Sequence, residues 1–256
     1  MTDLCPVPPL CVVSTHLDDA VLSCGHFLGS HPGTVVVTVM AGSPAGPSGA
    51  WDRLTTGQAS AAAAVALRRA EDAHALAVLG AIPRWLDLVD EQYERARPRP
   101  RPPIVAAIAR ILDELGAASV IAPLGLRHPD HVGVADACLE LAGRRPEAYF
   151  VYADMPYARA HPDDLAQRTT QLGARLLEKL VPADLSGASA KAAAVASYAS
   201  QLGLIAGLAG SALSVDDPER YWRLRPGCPL PATRAGAATL RSPTKGPNRA
   251  HPAATC

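Results

Sequence analysis

The sequence has no excess charge of either sign. Twenty-four Lys and Arg are balanced by 24 Asp and Glu, which excludes the footprint of a nucleic-acid binder and a polybasic membrane anchor. No segment approaches the roughly 18 consecutive apolar residues of a membrane span, and Met1 to Pro6 carries neither a basic region nor a long apolar core. A cytoplasmic protein is therefore expected. The six cysteines, at 5, 11, 24, 138, 228 and 256, form no C-x-x-C pair, so neither a disulfide frame nor a thiolate zinc site is supported, and Cys24 reads as a packing residue. There is also no internal repeat.

What is present fits a globular enzyme-sized chain. At 256 residues, with 48% hydrophobic and 19% charged content, it suits one large domain or a domain with a small appendage. Leu10 to Val13 reads as a first strand leading into an amphipathic helix over Val21 to Gly29. Further strands are expected at Thr34 to Met40, Arg84 to Asp90, Ser119 to Pro123 and Ala148 to Ala153, and helices at Gln58 to Leu79, Ile104 to Leu115 and Gly133 to Leu141. This alternation predicts an α/β fold, a Rossmann-like, mainly parallel sheet with helices on both faces.

Other stretches are less regular. Ala41 to Thr56, rich in Gly, Pro and Ser, reads as a long loop on the rim of a site, and Arg95 to Pro103 as a solvated linker without regular structure. Beyond residue 160 a smaller α+β portion is expected. There Gln167 to Val181 is strand or helix, Lys191 to Leu208 is one Ala-rich helix, and Pro218 to Leu224 concentrates aromatics. The predicted organisation is a core over 1–160, a C-terminal portion over 161–225 completing the fold and its cleft, and a flexible tail over 226–256.

Two clusters carry chemistry, both at strand-to-helix junctions within the core. The first is Ser14-Thr15-His16-Leu17-Asp18-Asp19-Ala20. One imidazole beside two carboxylates suits zinc or a similar divalent ion, although Asp18 and Asp19 also fit a simple helix cap. The second is Arg127-His128-Pro129-Asp130-His131, in a chain with only eight histidines. Together they provide an imidazole and a carboxylate from the first loop and an imidazole from the second, around a metal with an open position. A neighbouring carboxylate would take a proton from water in metal-assisted hydrolysis of an amide or ester. The leftover His128 suits stabilising the oxyanion or protonating the leaving amine, and Asp130 suits orienting an imidazole. His161-Pro162-Asp163-Asp164 echoes the first motif but stands among loop-like residues.

The pairing of Thr15-His16-Leu17-Asp18-Asp19-Ala20 with His128-Pro129-Asp130-His131 resembles the PIG-L/LmbE-like zinc de-N-acetylases, whose first signature is usually His-Pro-Asp-Asp-Glu. Arg68-Arg69-Ala70-Glu71-Asp72, Tyr152 to Tyr157, the Lys191 to Gln201 segment and Glu219 to Trp222 look like the same family, so the resemblance spans about residues 10 to 225. It implies that His16, Asp19 and His131 hold Zn2+, that Asp18 is the general base, and that His128 aids the tetrahedral intermediate with Asp130 beside it. The departures at Leu17 and Ala20 replace neither ligand nor base, and His26 in place of a second glycine is expected to narrow the approach to the site.

The resemblance further implies removal of an N-acetyl or N-acyl group from an N-acetylglucosaminyl moiety. His-Leu-Asp-Asp-Ala-Val-Leu-Ser-Cys-Gly and the terminal Tyr-Trp-Arg look similar to members acting on glycopeptide (teicoplanin-like) antibiotics, so a small-molecule glycoconjugate is the expected partner. The alternatives are a deacetylase or amidase of a thiol-cofactor pseudodisaccharide and a non-catalytic metal- or sugar-binding module. The spare carboxylate of Asp18 argues against the module. Arg68 is a candidate substrate contact, against a surface ion pair with Glu71 or Asp72. Trp51, Tyr157, His161 and Trp222 are candidates to line an aglycone cleft, against simple packing. Neither nucleic acid nor membrane is expected as a partner, and an oligomer is allowed.

Overall fold

The computed structural model describes residues 6–94, 99–180, 188–208 and 215–226. The opening apolar run forms β1 (Leu10–Ser14), buried throughout, and passes into α1 (Asp19–Ser30). After β2 (Val35–Thr38), the segment expected to be a rim loop contains a short helix, α2 (Ala50–Thr56), closed by Gly57 in the left-handed conformation that glycine adopts without a Cβ penalty. A seven-residue helix is too short to print a period on the sequence, which is why it reads there as loop. α3 (Ala61–Val78) begins at Ser60, whose side chain accepts the Ala63 amide, and leads to β3 (Ile82–Trp85). That strand is earlier and shorter than Arg84 to Asp90: it ends at Trp85, Asp87 adds only an isolated bridge to Met40, and Asp90 lies beyond it.

The Arg/Pro tract is corrected in part. Residues 95–98 of it lie outside the described residues, but α4 (Arg101–Leu115) absorbs Pro102 and Pro103 into its first turn, where a missing N–H costs no helical bond. β4 (Ser119–Pro123), α5 (Pro129–Ala142) and β5 (Ala148–Tyr152) follow as the alternation predicts. After α6 (Tyr157–Ala160), His161-Pro162-Asp163-Asp164 opens α7 (Pro162–Leu172) and is not loop: Pro162 and two first-turn aspartates suit a helix start. Of Gln167 to Val181, the described part up to Leu180 is both things expected of it in succession, the end of α7 and then β6 (Leu176–Leu180). The single helix expected over Lys191 to Leu208 is two, α8 (Ala188–Ala196) and α9 (Leu202–Leu208). The break frees Tyr198 to reach Asp72 and Gln201 to reach Trp51. β7 (Tyr221–Leu224) is the last element among the described residues, and the tail expected over 226–256 lies outside them from 227 onward.

Among the described residues, seven strands form one sheet in the order β3-β2-β1-β4-β5-β7-β6. The first five are mutually parallel, while β7 pairs antiparallel with β5 and β6 antiparallel with β7, so the C-terminal portion extends the same sheet. Each face carries its own core. Val13, Val37, Val120 and Val151 pack with α4 and α5 on one side, and Val12, Val36, Ile121 and Phe150 pack with α1, α3 and α8 on the other. Alternate residues of one strand thus face opposite cores, the reason these strands read as continuous apolar runs. Cys11, Cys24 and Cys138 are free and buried. No helix among the described residues is long and apolar enough to cross a membrane.

Candidate metal centre and its cleft

The strand order reverses between β1 and β4, and at such a switch point the diverging loops leave a crevice beyond the carboxyl ends of the strands. His16 to Asp19 follow β1 and His128 to His131 follow β4, so clusters 114 residues apart in the chain face each other.

The local fold decides what each aspartate does. Asp18 makes no side-chain cap to α1; Ser14 Oγ accepts the Ala20 N–H at 3.1 Å, which leaves both carboxylates for other roles. Asp19 Oδ2 accepts the His16 amide at 2.8 Å and lies 3.3 Å from His16 Nδ1 and 3.2 Å from His131 Nε2. His16, Asp19 and His131 are all buried, and one ligand atom from each falls within 4.8 Å of the others. Two imidazoles and a carboxylate converging in this way are a donor set consistent with a metal cofactor.

The electrostatics agree with that fit. Burial disfavours the charge on Asp19, yet His131 and then His16 hold its carboxyl well below the usual range. Burial equally opposes a charged His131, but Asp19 and the hydrogen bond with Asp154 lift it to about 9. The carboxylates around the two imidazoles thus favour positive charge where the three side chains meet, which a bound cation would supply. Asp18 behaves differently. Burial, with Asp19 beside it, pushes its carboxyl up to about 7 against the pull of Arg68 and His16. That places a proton acceptor near neutrality. His128 is pushed down to about 4, first by burial and then by His16 and His131, so its ring is neutral at neutral pH.

Supporting side chains orient the imidazoles. His131 Nδ1 is 2.7 Å from Asp154 Oδ1, and Asp154 Oδ2 accepts the Gly125 N–H at 2.9 Å. Gly125 has φ +87°, and a Cβ there would come within 2.6 Å of the Ala135 Cβ, so the turn holding Asp154 requires glycine. Asp130 Oδ2 lies 3.2 Å from His16 Nε2; it orients His16 and not its neighbour His131. Arg99, placed in a solvated linker by sequence reasoning, sits with Nε 3.3 Å from Asp130 Oδ1.

These groups border a cleft of about 460 Å³, which Asp18, Trp51, Arg68, His128 and Tyr157 also line. The rim position expected for residues 41–56 is thus occupied by Trp51, whose Nε1 donates to Gln201 Oε1 at 2.8 Å. Tyr157 packs edge-on to His131 with ring centroids 5.2 Å apart. Arg68 pairs with neither Glu71 nor Asp72. Its Nη1 donates to Asp52 Oδ1 at 3.0 Å and its guanidinium approaches Asp90 and Asp18 at 3.8 and 4.0 Å. Glu71 is taken by Ser200, and Asp72 by Trp85 and Tyr198.

Three residues lie elsewhere. His161 is outside the cleft lining, its amide bonded to the Tyr157 carbonyl between α6 and α7. Trp222 is in β7, opposite Val151. His26 is buried with Nε2 3.1 Å from the Val215 carbonyl, so it does not narrow the approach. Sequence reasoning missed Asp154 and Asp52 as working parts. Asp154 left one signal, a carboxylate immediately beyond a strand buried on both faces; Asp52 left none.

Such an arrangement can hold a divalent cation, direct water at a carbonyl and accept its proton: the outfit of an amide hydrolase. Residues 11–142, over half of the chain, match the model of the PIG-L family, described as GlcNAc-PI de-N-acetylase, and the chain belongs to that family. It is accordingly an N-deacetylase. No curated protein matches the chain by sequence. Among solved structures it is similar to the deacetylase of the antimicrobial A40926 pseudoaglycone, at 28% identity and TM-score 0.71 over 86% of this chain and 98% of that one. It is also similar to a deacetylase–bog complex from teicoplanin biosynthesis, at 25% identity and TM-score 0.69 over 85% and 98%. A zinc-inhibited form of teicoplanin deacetylase shares the fold at 24% identity and TM-score 0.69, again over 85% and 98%.

Proposed function

We propose that the chain removes the N-acetyl group from an N-acetylglucosaminyl moiety of a glycopeptide-antibiotic pseudoaglycone, using zinc held by His16, Asp19 and His131. The observation that carries the reading is the likeness to the A40926 pseudoaglycone deacetylase over nearly the whole of both chains. The site supports it: beside the His–Asp–His set stands a carboxylate, Asp18, that no ligand or cap role consumes.

The cation, when bound, supplies Lewis-acid polarisation of the amide carbonyl. Asp18, with its carboxyl near neutrality, accepts a proton from the attacking water and passes it to the departing amine. His128, neutral and lining the same cleft, donates its ring N–H to the developing oxyanion. Asp154 fixes the His131 ring and Asp130 the His16 ring, so both nitrogens aim inward without a conformational search. Arg68, anchored by Asp52, presents the cleft with donors for sugar hydroxyls or a carboxylate. Leu22, Pro156 and Ile205 provide an apolar wall against which an aglycone packs.

The experiment is a side-by-side mass-spectrometric assay of the zinc-loaded protein with N-acetylglucosamine, a glycopeptide pseudoaglycone and a thiol-precursor pseudodisaccharide. Loss of acetyl from the pseudoaglycone, abolished by a chelator and restored by zinc, is expected. Cleavage of the pseudodisaccharide alone would replace the substrate assignment, and failure of zinc to restore activity would remove the metal.

A further inference from the structure

Trp51 is held on the cleft by a chain of hydrogen bonds that runs in one direction. Its Nε1, which can only donate, gives its proton to Gln201 Oε1 at 2.8 Å, and this turns the amide nitrogen to the other side. Gln201 Nε2 donates to Ser200 Oγ at 2.8 Å, and the Ser200 hydroxyl donates to Glu71 Oε2 at 2.6 Å. The Ser200 N–H adds a bond to Glu71 Oε1 at 2.8 Å. Donors aligned head to tail onto a carboxylate polarise one another, so the chain is stronger than its separate bonds. Gln201 is 0% exposed, and burying an amide costs free energy unless its oxygen and nitrogen are both bonded, as they are here. Its backbone is fixed as well: the N–H donates to the Tyr198 carbonyl and the C=O accepts the Ile205 N–H.

The helix that carries Trp51 needs such support. α2 has seven residues, too few to stand by its own bonds, and it is pinned at two successive positions. Asp52 accepts Arg68 Nη1 and the Tyr93 hydroxyl, and Trp51 reaches Gln201 across 150 residues. The lining of the cleft consequently divides by chemistry. Arg68, Asp90 and His128 supply polar groups, whereas Trp51, packed against the core cluster that includes Leu22 and Ile205, has its one polar atom engaged and offers carbon.

We propose that Gln201 is a positioning residue for substrate selection, holding Trp51 so that the indole receives the apolar aglycone while the polar groups of the cleft take the sugar. The inference rests on the pseudoaglycone reading given above. A large ring fixed before binding gains contact area without losing rotamer freedom at that moment, so its contact with the aglycone goes into affinity. Glu71, Ser200 and Gln201 lie behind the cleft lining, away from the reacting amide. Binding of the aglycone, and not turnover, is therefore what the chain controls.

The test is steady-state kinetics of the zinc-loaded full chain on a glycopeptide pseudoaglycone and on N-acetylglucosamine. Gln201→Met keeps the shape of the side chain without its polar group, and Trp51→Phe cuts the same hydrogen bond from the other end while keeping a ring. Each should raise KM for the pseudoaglycone by roughly 3- to 10-fold, the worth of one hydrogen bond, with the effect falling on KM and not on kcat. The preference for pseudoaglycone over N-acetylglucosamine, taken as the ratio of kcat/KM values, should fall by the same factor. Trp51→Ala should lower that ratio by roughly 30-fold. Adding Gln201→Met to Trp51→Ala should lower it no further, whereas a merely structural role for Gln201 would add its own loss. Should Gln201→Met not fold, Trp51→Phe decides alone. An unchanged ratio in the Trp51 variants, or a further fall in the double variant, overturns this inference and leaves the pseudoaglycone as substrate. An equal loss on both substrates sets Trp51 against the sugar and overturns it too. A wild type that shows no preference for the pseudoaglycone overturns both readings.

Discussion

His131 Nδ1 lies 2.7 Å from Asp154 Oδ1, and the two side chains are each 1% exposed. With Nδ1 committed to that carboxylate, Nε2 is the nitrogen presented to Asp19. Asp154→Asn places an amide NH2 against either the ring or the Gly125 N–H, so one of the two contacts is lost. Zinc affinity should fall about 10- to 100-fold. Competition with a chromogenic chelator checks it, and unchanged affinity would show that packing alone aims the ring.

The two adjacent aspartates should separate by phenotype. Asp18→Ala should keep its zinc and lose turnover by roughly 100- to 10,000-fold, the usual worth of a general base. His131→Ala should release the metal instead. Metal content of both purified variants, measured beside their rates, decides the assignment. Loss of zinc from the Asp18 variant would mean that ligand and base are exchanged.

A buried ion pair behind the site should respond asymmetrically. Lys191 Nζ lies 2.8 Å from Glu219 Oε1, with side chains 3% and 0% exposed. Glu219 also accepts the His26 and Phe27 amides and the Tyr221 hydroxyl, tying α1 to β7. Removing Lys191 leaves that carboxylate with three donors. Removing Glu219 strands an ammonium and all of them. Glu219→Ala should therefore cost about 3–5 kcal/mol, and Lys191→Met clearly less. Urea denaturation of both variants measures the order, and a reversed order would refute the account.

Asp72 makes the stability of the metal-stripped protein depend on pH. Burial pushes its carboxyl up to about 6, against the hydrogen bonds donated by Trp85 and Tyr198. The folded state thus holds a proton that the unfolded chain releases from about pH 4 upward, so the contribution is full below that and lost as pH rises through about 6. Relative to Asp72→Asn, which titrates nothing there, the wild type should lose about 3 kcal/mol between these limits, at about 1.4 kcal/mol per pKa unit. Denaturation of both proteins across pH 4 to 7 tests the sign, and a pH-independent difference would contradict it.

The sequence by itself determined the α/β alternation, because strands buried on both faces must be apolar throughout and the helices between them carry their own period. It also singled out His16, Asp18, Asp19, His128 and His131, since these sit within two short motifs at strand ends where an open sheet forms its crevice. Prolines at 102 and 103 and the seven residues of α2 escaped that reading, because a first turn tolerates proline and a short helix shows no period. The tertiary structure alone decided the partners. Arg68 passes over Glu71 and Asp72, which share its helix, for Asp52 on another, and His131 finds Asp154 across 23 residues. Short-range patterns record which face of an element is buried, but the pairing of buried charges depends on which loops converge, and only the assembled sheet brings those loops together.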